Sequence, residues 1–183
     1  MLLNRGTTKL ETERLELDKF STNDVVSFYD LVGSDTNVTK YVVWNAHKDV
    51  DVTKHAVEKW MEGYNNDFTY YWVIRLKDTN EAIGSISCVR VDVKNETCEL
   101  GYVISSREWN KGIATEALKA IIDYLQEEGF KTIFAEHLKL NPASGRVMEK
   151  AGMTFEGILR NRMIDKNTGK YDDLVSYSII TNE

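Results

Sequence analysis

The sequence predicts a mixed α/β (α+β) layered domain with a β-rich meander in its middle. Three observations carry that reading. Strand-like runs at 70–76, 83–93 and 97–104 follow one another across short polar turns, as a meander does. Directly afterwards Ile113, Ala114, Ala117, Leu118, Ile121, Ile122 and Leu125 recur at helical spacing. The run 132–140 then carries apolar residues on both faces, the pattern of a central strand covered on both sides.

The elements follow in order. The stretch 12–20 places Leu15 and Leu17 at strand spacing. Ser21-Thr22-Asn23-Asp24 caps a first helix, with Asp24 as the reciprocal partner of Ser21. Its inward face is Val25, Phe28, Tyr29 and Val32. A polar stretch follows, broken by Tyr41-Val42-Val43-Trp44, and a second helix is expected at 52–64 with Val57, Trp60 and Met61 inward. Asp78-Thr79-Asn80 and Lys94-Asn95 are the turns of the meander. Gly129 stops the amphipathic helix, and a short helix at 143–150 ends at Gly152. Two strands, 153–163 and 171–180, close the chain around the turn Lys166-Asn167-Thr168-Gly169.

The 183 residues show no internal repeat, low-complexity tract or Pro/Gly/Ser linker, so one domain over 1–183 is expected. A formal net charge of -6 argues against a nucleic-acid surface, where basic patches supply most of the affinity. Cys88 and Cys98 sit inside strand-like runs and read as reduced core thiols. No metal-ligand spacing joins them to His47, His55 or His137, so no metal is expected. The start of the chain lacks a signal-peptide pattern, and no apolar run reaches membrane-spanning length. A cytoplasmic protein without membrane contact is the expectation.

The most informative local feature is Trp109-Asn110-Lys111-Gly112-Ile113-Ala114-Thr115, a loop opening straight into the amphipathic helix. The first turn of a helix presents unpaired N–H groups in one direction, and the helix dipole adds a partial positive charge there. Such a place suits a phosphate-rich ligand. Lys111 adds a charge, and Gly112 lets the backbone approach without a side chain between.

Three pieces in this order resemble the GNAT superfamily of acyl-CoA-dependent N-acetyltransferases. They are the strand Glu99-Leu100-Gly101-Tyr102-Val103-Ile104, the loop and helix start from Lys111 to Leu118, and Asn141-Pro142-Ala143-Ser144 followed by Glu149-Lys150-Ala151-Gly152-Met153. The Thr12-Glu13-Arg14-Leu15 start and the closing Glu156-Gly157 and Tyr177 look like the RimJ/RimL branch, which acetylates protein N-termini. The resemblance covers about 12–180. It implies a mostly antiparallel central sheet flanked by helices and splayed between the strands ending near Ile104 and Leu140.

The resemblance also implies roles. Acetyl-CoA is the cosubstrate, its pyrophosphate held by amides from Lys111 through Gly112, Ile113 and Ala114 to Thr115, with Trp109 and Asn110 opening the loop. The backbone of Tyr102, Val103 and Ile104 pairs with the pantetheine amides, as an added strand would. Asn141 bonds the cofactor arm, Ser144 lies near the thioester sulfur, and Arg146 is in sequence reach of a phosphate. Family loops usually begin with Gln or Arg where Trp109 stands, and many members outside this branch carry a tyrosine acid where Met148 stands. A thioether donates no proton, which leaves Ser144 as the nearest substitute, directly or through water. A pairing of two copies of the chain is implied at family level only.

For the chemistry, Glu99 is the expected base, acting through a water, with Glu136 on the next strand as the competing carboxylate. The N–H of Val103 is expected to stabilise the developing oxyanion. His137 reads as a packed histidine. Tyr41, Trp44, Tyr70 and Trp72 are candidates for the acceptor wall, against a core role for each. An α-amine titrates near ~7.7–8.0, whereas a lysine near ~10.4 needs roughly 3–4 kcal/mol more to deprotonate. One carboxylate acting at a distance therefore suits the α-amine of a protein or peptide N-terminus. The alternatives are a small amine (polyamine, aminoglycoside or amino-acid derivative) or a non-catalytic acyl-CoA sensor.

Overall fold

Alternating burial along the middle of the chain gives strands whose inner faces share one core. The computed structural model describes residues 2–181. Its strands are β1 (Leu10–Glu11), β2 (Leu15–Asp18), β3 (Tyr71–Leu76), β4 (Ala82–Asp92), β5 (Thr97–Ile104), β6 (Thr132–Leu138), β7 (Thr154–Ile164) and β8 (Tyr171–Ile180). They form one sheet in the order β1-β2-β3-β4-β5-β6-β8-β7. Every neighbouring pair is antiparallel except β5 and β6, which run parallel because helix α4 (Ile113–Glu128) crosses between them. In β4, Cys88 opposes Leu100 and Arg90 opposes Glu99, so Val89 is an extra residue that bulges the strand opposite Glu99.

The amphipathic spacing of α4 has its expected effect. Ile113, Ala117, Leu118, Ile121, Ile122 and Leu125 are each no more than 2% exposed. Burying a side chain of the Leu or Ile type stabilises a fold by about 1.5–3 kcal/mol. Gly129 ends the helix at φ +102°. Helix α5 (Pro142–Lys150) packs beside α4 and against β6 and β8.

The first helix begins as the capping pattern predicts. Asp24 accepts hydrogen bonds from the Ser21 amide (2.7 Å) and hydroxyl (2.9 Å). Its carboxylate does more than cap: buried at 3% exposure, it takes a two-pronged bond from Arg75 at 2.6 and 2.7 Å. The helical path runs through α1 (Val25–Phe28) into a wider π turn at Tyr29–Gly33. The polar stretch hides a further turn of helix, α2 (Thr36–Thr39), capped by Asp35 accepting from the Asn37 amide at 2.8 Å. The second predicted helix, α3 (Val50–Gly63), starts two residues earlier because Asp49 caps it by accepting from the Val52 amide at 3.0 Å.

Met61 is 37% exposed where the sequence placed it inward. Val57 and Trp60 set the inner face, and Trp60 packs among Phe20, Phe28 and Tyr71, leaving Met61 on the flank. No helix among the described residues is long and apolar enough to cross a membrane.

Candidate active site

The parallel pairing of β5 and β6 covers Thr97↔Thr132 to Leu100↔Ala135 and goes no further. Beyond it β5 continues to Ile104 and β6 to Leu138, so the sheet opens between them. Strand polarity decides which β5 groups face that opening. The Ser105 amide donates to the Ile83 carbonyl of the neighbouring chain segment. In an antiparallel ladder alternate residues point the same way, so Val103, opposite Ser85, also turns its N–H and C=O toward β4. The carbonyl oxygen of Val103 accordingly lies 2.4 Å from where a Cβ on Gly84 of β4 would stand. Val103 therefore does not offer its amide to the opening, contrary to the sequence expectation. Tyr102 and Ile104 do, and Tyr102 is the first such residue past the parallel pairing.

At the far end of β5 the chain makes the turn Ser106–Glu108, and the Trp109 indole N–H donates to the Ile104 carbonyl at 2.9 Å. The indole thus pins the loop to the strand. Asn110 at φ +61° and Gly112 at φ +81° then bend the backbone so that α4 begins at Ile113. Gly112 has no side chain to cap the helix, which leaves the amides of Ile113, Ala114 and Thr115 without an intrahelical acceptor. They sit at the positive end of a sixteen-residue helix. A cavity of about 390 Å³ opens there, lined by Glu13, Gly112, Thr115, Glu116, Lys119 and Lys150. The donor set of first-turn amides and two lysines fits a polyanionic ligand.

Arg14 braces this loop, a role the sequence reading did not give it. Its guanidinium donates to the Lys111 carbonyl at 2.9 Å and grips Glu116 at 2.6–2.7 Å. Glu116 also accepts from the Thr12 hydroxyl at 2.6 Å and the Arg14 amide at 2.9 Å. Burial pushes the Glu116 carboxyl up, but these donors more than offset it and hold the group below the usual carboxylate range. The Lys111 ammonium pairs with Glu108 at 3.1 Å, and Arg146 is exposed on α5.

Around the start of the opening, Glu99 is 16% exposed and meets Arg90 at 3.4 Å. Burial raises its carboxyl above the ordinary value; Arg90 opposes the rise and Glu136 adds to it. A raised carboxylate in partial contact with solvent is suited to accept a proton through water. Asn141 precedes α5, and Ser144 in its first turn bonds to the Tyr102 hydroxyl at 2.8 Å. Alternation along β5 therefore puts Glu99 on one face of the strand and the Tyr102 side chain on the other. Met148 is buried at 1% exposure. His137 is buried too, its Nδ1 donating to the Leu138 carbonyl and its Nε2 packed 2.7 Å from where a Cβ on Gly145 would stand.

The proposed acceptor residues divide. Tyr70 (1% exposed) and Trp72 (0%) are core residues and line no groove. Each satisfies its polar tip internally, Tyr70 on the Glu128 carboxylate at 2.8 Å and Trp72 on the Thr8 carbonyl at 2.7 Å. Tyr41 and Trp44 are half-buried in the loop after α2, with Lys40 over the Tyr41 ring at 4.9 Å and Trp44 against His47 at 5.1 Å. The β7–β8 turn reaches this loop. Lys166 donates to the carbonyls of Thr39 (2.7 Å) and Trp44, and Asn167 donates to that of Lys40 at 2.9 Å. Burial lowers the Lys166 ammonium, with Asp165 opposing. No local pattern announces this clasp, which joins residues more than a hundred positions apart.

A family model described as an acetyltransferase (GNAT) domain matches residues 14–154. YoaA, an uncharacterized N-acetyltransferase of Bacillus subtilis (strain 168), is 30% identical over 172 residues, spanning 93% of this chain and 96% of that protein. A ribosomal-protein-serine acetyltransferase of Escherichia coli (strain K12) is 27% identical over 172 residues, spanning 92% and 94%. The structure of RimL, a ribosomal L7/L12 alpha-N-protein acetyltransferase in complex with coenzyme A, shares the fold with a TM-score of 0.84. That match covers 96% of this chain and 100% of the other at 19% identity. An opened mixed sheet with an amide-rich helix start beside the opening is the architecture of an acetyltransferase. The chain belongs to the GNAT acetyltransferase family, and within it the chain is RimJ/RimL-like.

Proposed function

We propose that this acetyltransferase uses acetyl-CoA to acetylate the α-amino group of a protein or peptide N-terminus. The observation that carries the reading is the opening between β5 and β6, flanked by Glu99 at its closed end and by the amides of α4 at its far end. Acetyl-CoA supplies an activated thioester carbonyl. The amides of Lys111 to Thr115 hold its pyrophosphate, and Lys119 and Lys150 add charge at the same cavity. Tyr102 and Ile104 offer the backbone edge along which the pantetheine arm lies as an added strand. Asn141 bonds the arm from the other side.

The Tyr102 amide takes the place assigned to Val103 and stabilises the negative charge developing on the carbonyl oxygen. Glu99 takes the ammonium proton through a water, which leaves the amine lone pair free to attack. Ser144 donates a hydrogen bond to the departing sulfur, directly or through water, and the second proton of the nitrogen passes through water to the coenzyme A thiolate, giving the amide and the free thiol. Tyr41, Trp44 and the 165–169 turn form the acceptor wall. The names of two relatives, a ribosomal-protein-serine and an alpha-N-protein acetyltransferase, support a protein N-terminus as acceptor. The amine energetics point the same way, since a single carboxylate suits an amine titrating near ~8.

Thiol release from acetyl-CoA against N-terminal peptides, polyamines and aminoglycosides, with product masses, tests this reading. Release with peptides gaining one acetyl group is the expected result. Release with small amines alone overturns the acceptor assignment, and acetyl-CoA binding without release on any amine overturns the enzymatic one.

A further inference from the structure

Strand β7 carries a feature that neither the core nor the proposed reaction uses. Leu159 opposes Leu174 and Met163 opposes Asp172, so Arg160, Asn161 and Arg162 bulge out against the single residue Asp173. Asn161 turns the bulge at φ +53°. Its amide donates to one Asp173 carboxylate oxygen at 3.1 Å, and Lys139 pairs with the other at 3.2 Å. That carboxylate is thus occupied in fixing the turn. Arg160 and Arg162 are exposed, and neither guanidinium has a hydrogen bond or close ion pair among the described residues. Beside them a cavity of about 600 Å³ is lined by Ile158, Leu159, Arg160, Asn161 and Arg162.

Register places this cavity on the side of the sheet that carries Glu99. Leu138, Leu174 and Leu159 form one row across β6, β8 and β7. His137 and Tyr102 both point at α5, so by alternation Leu138, its row and Glu99 share the opposite face. The same hairpin ends in the 165–169 turn that clasps the loop of Tyr41 and Trp44. The bulge lies level with Lys139, four residues beyond Ala135, where the β5–β6 pairing stops, and two strands across. Strand spacings make that roughly 16 Å, which an extended peptide covers in about five residues. The surrounding segment is basic in an acidic protein: 139–170 holds seven Lys or Arg against three Asp or Glu, whereas the whole chain has a net charge of -6.

We propose that the Arg160–Arg162 bulge is a specificity subsite that holds acidic side chains of a bound peptide, about five residues from the reacting amine. The subsite deepens the acceptor reading given above and rests on it for its place. Each guanidinium offers a planar set of donors that matches a carboxylate. Asp173 holds the bulge between them in shape, so both arginines stand ready without rearrangement of the strand.

The test compares two peptides that share their first three residues, one with Asp and Glu at the next three positions and one with Asn and Gln there. Binding of each to the protein with coenzyme A is measured by calorimetry, and acetylation by acetyl-CoA is followed in parallel. Both are done for the wild type and for the double variant Arg160→Gln, Arg162→Gln. The wild type is expected to bind the acidic peptide roughly threefold to tenfold more tightly, the scale of two partly exposed ion pairs. That preference is expected to weaken with added salt and to vanish in the double variant, whose coenzyme A affinity reports an intact fold. The same preference in the double variant, or none in the wild type, overturns the subsite. So does a double variant that changes its state of association in sedimentation while keeping the peptide preference, which assigns the bulge to a second copy of the chain. Arginine-dependent binding of the acidic peptide with no acetyl transfer to either peptide upholds the acidic-peptide site and overturns the acceptor reading.

Discussion

The two flanks of the β5–β6 opening are held by different kinds of contact. On the α4 side the groups on offer are backbone amides, set by a left-handed Gly112 and the start of a helix, and braced by Arg14 on Lys111 and Glu116. On the other side, which the proposed function makes the acceptor wall, the boundary is a clasp of side chains onto distant carbonyls, Lys166 on Thr39 and Trp44 and Asn167 on Lys40. The first flank is local in sequence and stiff. The second exists only once the chain has folded, and it joins two loops. Under the proposed function, the first flank holds the ligand shared by the family and the second sets which acceptor enters.

Substitutions can break that division, and Glu99→Gln is expected to have the largest effect. Turnover should fall by about 10²-fold, the lower end of general-base contributions, with acetyl-CoA affinity within about threefold of wild type. The basic form of Glu99 is the active one, and burial raises its titration. The acid limb of kcat/KM should therefore lie above the ordinary carboxylate value of about 4.3, activity rising with pH, and Glu99→Gln should abolish that limb. A steady-state pH profile of both proteins checks this.

Next comes Gly112→Val, which places a β-branched side chain at φ +81° at the start of α4, its Cβ 3.5 Å from Arg14 Nη2. Acetyl-CoA should bind at least about tenfold more weakly by calorimetry, since a strain of roughly 1–2 kcal/mol adds to the blocked approach. Arg14→Gln removes the brace but none of the amides. Because the pair is partly exposed, the cofactor dissociation constant should rise only about threefold, with the acceptor KM unchanged. The smallest effect is expected from Asn167→Ala, about twofold to threefold in acceptor KM with cofactor affinity unaltered. If Asn167→Ala weakens acetyl-CoA as much as Arg14→Gln does, the two flanks are not separate.

The same contrast explains how much was legible in the sequence. The strand, loop and α4 could be read because their signals are short-range: a strand alternation, a glycine at a helix start, and seven apolar residues at helical spacing. The opening between the strands ending near Ile104 and Leu140 followed from the family resemblance; the β5–β6 pairing stops earlier, at Leu100↔Ala135, and the two strands run on apart to Ile104 and Leu138. Val103 was misassigned because the direction of its amide depends on its register against β4, which no residue of β5 encodes by itself. Tyr70 and Trp72 were wall candidates against a favoured core reading, and the core reading holds; both sit in or beside β3, whose Trp72, Val73, Ile74 and Arg75 are all buried, so alternation had no solvent face to reveal. The Ser144 side chain was singled out, but its partner Tyr102 was known only for its backbone. The bond between them spans two elements and 42 positions.

The most direct measurement uses one peptide that carries both a free α-amine and an internal lysine. It is incubated with acetyl-CoA and the enzyme, and fragment masses then locate the acetyl group. The account predicts acetylation of the N-terminal residue with the lysine left bare. An acetyl group on the lysine side chain would contradict it.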